Sequence, residues 1–169
     1  MRTILSIFFI LSIVTMVAAM ENRAQERSKD GKAAKLSCNK SENADVELDI
    51  CLPAQDKVGA EIKCLVNLTN KKDYALRYLS ASHLRDFQIE IKDSVRKVVA
   101  YTAYGSLTIA GVSNKKVLEE LGPNQSLSMT YDLTRFFDLT AADRYTIRVS
   151  RRINGENISV SATFAVIDE

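Results

Sequence analysis

Tryptophan is missing from this chain and histidine occurs once, at His83. A lone imidazole excludes paired-histidine relays and the histidine-rich ligand sets that hold zinc or copper. No GxSxG, glycine-rich phosphate loop, HExxH or CxxC is present, so the usual signatures of serine hydrolases, nucleotide binders, zinc proteases and thiol oxidoreductases are all missing. Charge of one sign is lacking too: the net charge is only +2, whereas nucleic-acid binders carry an excess or a cluster of Lys and Arg. Beyond the N-terminus no apolar run is long enough to span a bilayer. These absences lead us to expect a protein that is not an enzyme, holds no cofactor or metal, and binds no nucleic acid.

What is present starts with the N-terminal run. Residues 1 to 19, MRTILSIFFILSIVTMVAA, carry one charge at Arg2 and then an uninterrupted weakly polar to apolar stretch from Ile4 that ends in small residues. This is the pattern of a secretory signal peptide, with cleavage expected after Ala19; an uncleaved signal anchor is the alternative. Cleavage would leave 150 of the 169 residues, enough for one domain with a tail, in a secreted or periplasmic setting. Residues 20 to 44, charged and poor in large apolar side chains, read as a flexible polar tail.

Such a compartment is oxidising, and the chain has three cysteines. Cys38 with Cys51 is the expected disulfide, because both fall outside the alternating apolar set while Cys64 is in phase with Ile62 and Val66. A Cys51–Cys64 bridge is the competitor. The leftover thiol is read as a buried small hydrophobe. Four Asn-x-Ser/Thr acceptors, at Asn39, Asn67, Asn124 and Asn157, would carry sugar only on a eukaryotic secretory route.

From Asp45 onward the apolar period is two. DVELDICL sets Val46, Leu48, Ile50 and Leu52 on one face, and EIKCLVNLT does the same with Ile62, Cys64, Val66 and Leu68, the mark of half-buried strands. DYALRYLS, DFQIEIKD, RKVVAYTAY, SLSMTYDL and the two halves of residues 143 to 166 continue the rhythm. Pro53 and Pro123 fall in turn stretches, and Asn154-Gly155 is the strongest short hairpin signal, since a type I′ turn needs positive φ at both central residues. Only NKKVLEEL, residues 114 to 121, reads as a helical turn. The expectation is an all-β, two-sheet antiparallel sandwich of seven to eight strands over residues 45 to 169.

One spacing is more specific. Tyr145 follows LTAAD near the start of a late strand, where immunoglobulin-type sandwiches place a tyrosine that hydrogen-bonds back to the chain a few residues upstream. The position two further on, a cysteine in antibody domains, is Ile147. With no tryptophan either, this is not an antibody-class domain. Together with GAEIKCLVNLTN, LGPNQSL, YDLTRFFDLT and YTIRV, the chain resembles a loose group of exported, mostly bacterial immunoglobulin-like domains over residues 45 to 167. More distantly it resembles proteinase-inhibitor and metalloprotease-propeptide sandwiches. The shared positions, among them Tyr145, Pro123, Asn154 and Gly155, are turn and core positions, so the resemblance implies a fold and transfers no functional residue.

Candidate contacts follow from composition. YTAYGSLTIAG, in the connection from Tyr101 to Asn114, offers Tyr101 and Tyr104 among small residues, a mixture suited to adaptable surfaces; an ordinary inter-sheet crossover is the competing reading. His83, in the loop from Ser80 to Asp86, reads as an exposed loop residue, since Ser80, His83 and Asp86 are too local for a triad. Arg148 and Arg152 share an outward strand face and would suit an anionic polysaccharide, or merely blunt strand pairing. Asp132 and Asp138 flank Arg135 as an expected corner ion pair, with a calcium or acid–base site as alternative. The functional expectation is a non-catalytic binding or structural module, monomeric, whose partner is a protein or envelope polysaccharide. The alternative is a protease inhibitor or propeptide-like regulator acting through a sandwich-end loop.

Overall fold

Alternation decides the architecture. The computed structural model describes residues 36–43, 45–80, 86–111 and 117–168, all within the compact unit Lys35–Glu169. The leader, residues 20–35 of the tail, and His83 lie outside the described residues. In chain order the elements are β1 (Leu36–Glu42), β2 (Val46–Pro53), β3 (Gln55–Lys57), β4 (Lys63–Asn70), β5 (Leu76–Ser80), β6 (Gln88–Lys92), α1 (Ala103–Gly111), β7 (Val117–Leu121), β8 (Ser126–Asp132), α2 (Leu133–Phe136), β9 (Asp143–Ile153) and β10 (Glu156–Ile167).

One sheet has the order β1-β2-β4-β8, the other β3-β10-β9-β6, and β5 with β7 forms a separate two-stranded ribbon. The two large sheets pack with β10 against β1 and β2. Val46, Leu48, Ile50, Leu52, Cys64, Val66 and Leu68 from one sheet meet Ile147, Val149, Val160, Ala162 and Phe164 from the other in a single buried core. This is an all-β sandwich. Where β9 begins, Tyr145 is buried, donates its hydroxyl proton to the Ala141 carbonyl at 2.8 Å and stacks on Phe164. Asn154 and Gly155, between β9 and β10, have φ of 51° and 86°, as the two central residues of a type I′ turn require.

Several details differ from the sequence reading. Among the described residues there are ten strands, and one pairing is parallel: after Pro53 the chain leaves the first sheet and β3 joins β10 of the second. Proline has no N–H to continue the ladder, which suits a strand changing sheets there. Leu36–Glu42, assigned to the flexible tail, is β1, paired with β2 along its length. It buries almost nothing, so apolar periodicity could not reveal it. The Asn43 side chain closes the hairpin by accepting from the Asp45 and Val46 N–H groups, and Asn39 donates across to the Ser161 carbonyl. RKVVAYTAY forms no strand: it contributes isolated bridges, Lys92 to Val98 and Tyr101 to Phe137, and the first two residues of α1.

The segment expected to be a helical turn is instead β7 where it is described, Val117–Leu121, and the expected Tyr101–Asn114 loop contains α1. Cross-strand partners decide the first case, with Arg77 against Glu120 and the Tyr78 hydroxyl on Glu119. A cap decides the second: Thr102 accepts the Gly105 N–H on its side chain and the Ser106 N–H on its carbonyl, the arrangement that starts a helix.

Cys38 and Cys51 are bonded directly opposite each other in the β1–β2 register. Cys64 is free and buried, and burial pushes its thiol up to about 12. Closing a loop of this length removes roughly 2 to 3 kcal/mol of unfolded-chain entropy. Replacing both Cys38 and Cys51 by serine should lower stability by about that much in a urea melt, with protection lost first in β1. An unchanged midpoint would show that β1 stays in place without the bond.

Candidate functional site

The aromatic residues singled out from the sequence come together at the sandwich end next to the tyrosine corner. Thr102 is anchored to α2 twice, its N–H donating to the Phe136 carbonyl and its hydroxyl to the Arg135 carbonyl at 2.7 Å. Tyr101 packs on Phe137 and Tyr104 on Phe136, with ring centroids 5.0 and 5.5 Å apart. Gly105 is the buried residue of α1, and a Cβ there would collide with the Phe136 carbonyl oxygen. Glycine is therefore required by close approach, not by backbone angle. Tyr101 and Tyr104 are both exposed, though each ring packs on a phenylalanine.

Arg135 and its flanking carboxylates do not form the expected corner ion pair. Asp132 caps α2, accepting from the Arg135 N–H and the Thr134 hydroxyl, while Asp138 accepts from the Thr140 hydroxyl. The Arg135 guanidinium instead lies 4.0 Å from the centroid of the Tyr104 ring, a cation–π contact. Beside α2 is an open cleft of about 510 Å³, lined by Glu61, Thr102, Asp132, Thr134, Arg135, Asp138 and neighbours. Its volume is that of a small-molecule site, but the described residues contain no group of three or more His, Cys, Asp or Glu able to hold a metal. A second recess beneath α1, lined by Phe87, Ile89, Tyr101, Ile109, Tyr131, Phe136 and Phe137, measures only about 30 Å³ and is a packing gap rather than a ligand site.

Comparison of the chain with protein-family models and with curated proteins gives no match. Among solved structures it is similar to a β-glucosidase from Listeria innocua in complex with glucose, at 12% identity and a TM-score of 0.39, covering 88% of this chain and 20% of the glucosidase. It is also similar to the GAE domain of GGA2p from Saccharomyces cerevisiae, at 11% identity and a TM-score of 0.26, covering 79% and 96%. The chain thus spans about a fifth of the glucosidase. Likenesses this weak carry no argument about what this protein does.

The basic pair lies elsewhere. Arg148 and Arg152 are both exposed on one face of β9, Arg148 reaching the Ser159 hydroxyl and Arg152 the Gly155 carbonyl. Neither arginine lines the cleft beside α2. Of the four glycosylation acceptors, Asn124 and Asn157 are exposed, Asn67 is half-buried mid-strand, and the Asn39 amide is already bonded to Ser161.

Sequence reasoning missed two polar residues that organise the interior. Arg151, on the inward parity of β9, is buried between the rings of Tyr78 and Phe87 beside Asp86. Burial pulls its guanidinium below the usual arginine range, opposed by the Asp86 charge. Its parity with Val149 and Ile153 was the available signal, although arginine seldom points inward. Asn70 is fully buried; its place at the end of the Cys64, Val66, Leu68 series was the clue.

Proposed function

We propose that this is an exported, non-catalytic binding or structural module of the cell envelope or extracellular space, and that it meets its partner through the sandwich end built by α1 and α2. The observation that carries this reading is the solvent face of α1. Ala103, Tyr104, Ser106, Leu107, Ala110 and Gly111 are exposed and none is charged, in a chain that is 26% charged. A solvent-facing helix ordinarily turns its charges outward, so an uncharged outer face suits a surface that is covered in use. Leu107 is 74% exposed, and Tyr101 and Tyr104 add the amphipathic aromatic contacts that binding surfaces favour.

The leader pattern and the Cys38–Cys51 bond support a destination outside the cytoplasm. Among the described residues no helix is long and apolar enough to cross a membrane. The buried, high-pKa thiol of Cys64 supports the non-catalytic reading, because a nucleophilic cysteine needs an accessible, lowered thiolate.

The test is retention. Wild-type protein and a Leu107→Asp/Ala110→Asp variant, whose changed side chains already face water, are applied to immobilised protein and polysaccharide fractions of the native envelope. Retention lost in the variant at an unchanged Tm is the expected result. Equal retention of both, or of neither, defeats the reading. Inhibition of a co-secreted peptidase, relieved by the same variant, would favour the regulator alternative.

A further inference from the structure

A strand at the edge of a sheet offers unpaired backbone groups to any passing chain, and proteins blunt such edges with charge, proline, brevity or cover. Three of the four edges of the large sheets are blunted in these ways. β1 carries Lys40 and Glu42 and is pinned by its disulfide. β3 has three residues, two of them charged. β6 carries Glu90 and Lys92, and its outer side is bonded by the Val99 N–H to the Ile91 carbonyl and by the Lys92–Val98 bridge.

β8 is different. From Ser126 to Thr130 it contains no charge and no proline, and among the described residues this stretch pairs only with β4. Ser126, Ser128 and Thr130 point outward and are exposed, while the inward Leu127 and Met129 are half-buried. The corresponding inward residues of β2 and β4 are 0% exposed. The apolar inner face is thus incompletely covered at this edge, which, unlike β6, has no bonded segment on its outer side among the described residues.

We propose that β8 is a dimer interface, at which two copies of the chain pair antiparallel and merge their four-stranded sheets into one of eight strands. This departs from the monomer that the sequence suggests. Register and charge select a second copy as the occupant. Pairing centred on Met129 sets Met129 against its own copy, Leu127 against Tyr131, Ser128 against Thr130 and Ser126 against Asp132. Every opposed pair is compatible: apolar with apolar, hydroxyl with hydroxyl, hydroxyl with carboxylate, the kinds of cross-strand pair that stabilise sheets. The two Asp132 carboxylates stand at opposite ends, about 20 Å apart. A two-fold contact closes on itself and so does not grow into a fibre. A seven-residue edge buries less than a standard interface, so the dimer should dissociate on dilution through roughly the micromolar range.

Sedimentation equilibrium of the full secreted chain between about 100 and about 1 μM tests this, with two variants at exposed positions. Ser128→Glu/Thr130→Glu sets like charges directly opposite each other twice, and should be monomeric throughout with its melting cooperative. Ser128→Glu/Thr130→Lys sets opposite charges face to face in the same register, and should dimerise like the wild type. Wild-type protein that remains monomeric at the highest concentration overturns the proposal, as does a dimer indifferent to both variants.

Discussion

Arg151→Ala should lower the unfolding free energy by about 4 kcal/mol, the scale of loss when one member of a buried ion pair is removed. The side chains of Arg151 and Asp86 are only 3% and 2% exposed, with Nη2 4.0 Å from the nearer carboxylate oxygen. The guanidinium carbon lies 4.5 Å from the Tyr78 ring centroid and 4.8 Å from that of Phe87. Nη1 and Nη2 have no hydrogen-bond partner, so ring faces and the Asp86 charge hold this cation, not a hydrogen-bond fork. Alanine would take this cation away from a buried carboxylate that also accepts from the Ser80 hydroxyl, and would leave a void between two aromatic rings. Arg151→Met keeps much of the packing but not the charge; combined with Asp86→Asn it should recover more than half of the loss, because the buried negative charge is then gone as well. Urea melts of the three variants decide the matter. A loss below about 1 kcal/mol for Arg151→Ala would mean that Asp86 is compensated by other groups.

Asn70→Ala should cost on the order of 3 kcal/mol, from several buried carbonyls losing their donor at once. The Asn70 amide nitrogen sits within 2.9 Å of the carbonyls of Tyr74, Leu121 and Gly122, and its oxygen accepts the Lys72 N–H. One side chain therefore ties the end of β4 to the turn before β5 and to the end of β7. Asn70→Asp keeps the size and the bond from Lys72 but turns a donor into an anion facing three carbonyl oxygens, so it should be at least as damaging. Hydrogen exchange would locate the damage: amides of β5 and β7 should lose protection while β9 and β10 keep theirs. Uniform loss across the molecule would show that the ribbon is not tied on separately.

These two side chains and α1 carry the contrast between what was legible and what was not. The tyrosine cluster was visible as composition, and the structure gives it a shape: Tyr104 is set on a capped helix against Phe136 and Tyr101 just ahead of the cap against Phe137, with Gly105 permitting the close approach. The cap signal, Thr102 three residues before Gly105, was present but indistinguishable from loop chemistry. The Arg135 assignment went the other way. Proximity in sequence to two carboxylates suggested ion pairing, yet those carboxylates are occupied by local caps and the cation turns to an aromatic ring supplied by α1.

The sequence by itself determined the inward parity of β2, β4, β9 and β10, the hairpin at Asn154-Gly155 and the Tyr145 corner, and it favoured the Cys38–Cys51 bond over the competing Cys51–Cys64 bridge that the structure rules out. Each of these follows from local rules, a side-chain period of two or the φ that a turn demands, so a few neighbouring residues suffice. Tertiary structure alone decided that Leu36–Glu42 is a strand, that Val117–Leu121 pairs instead of coiling, that Arg151 lies inside and that β8 has an open edge. Those outcomes depend on which distant segment arrives alongside. A strand with few apolar residues and a charge that points inward are stable only because of the partners the fold brings to them.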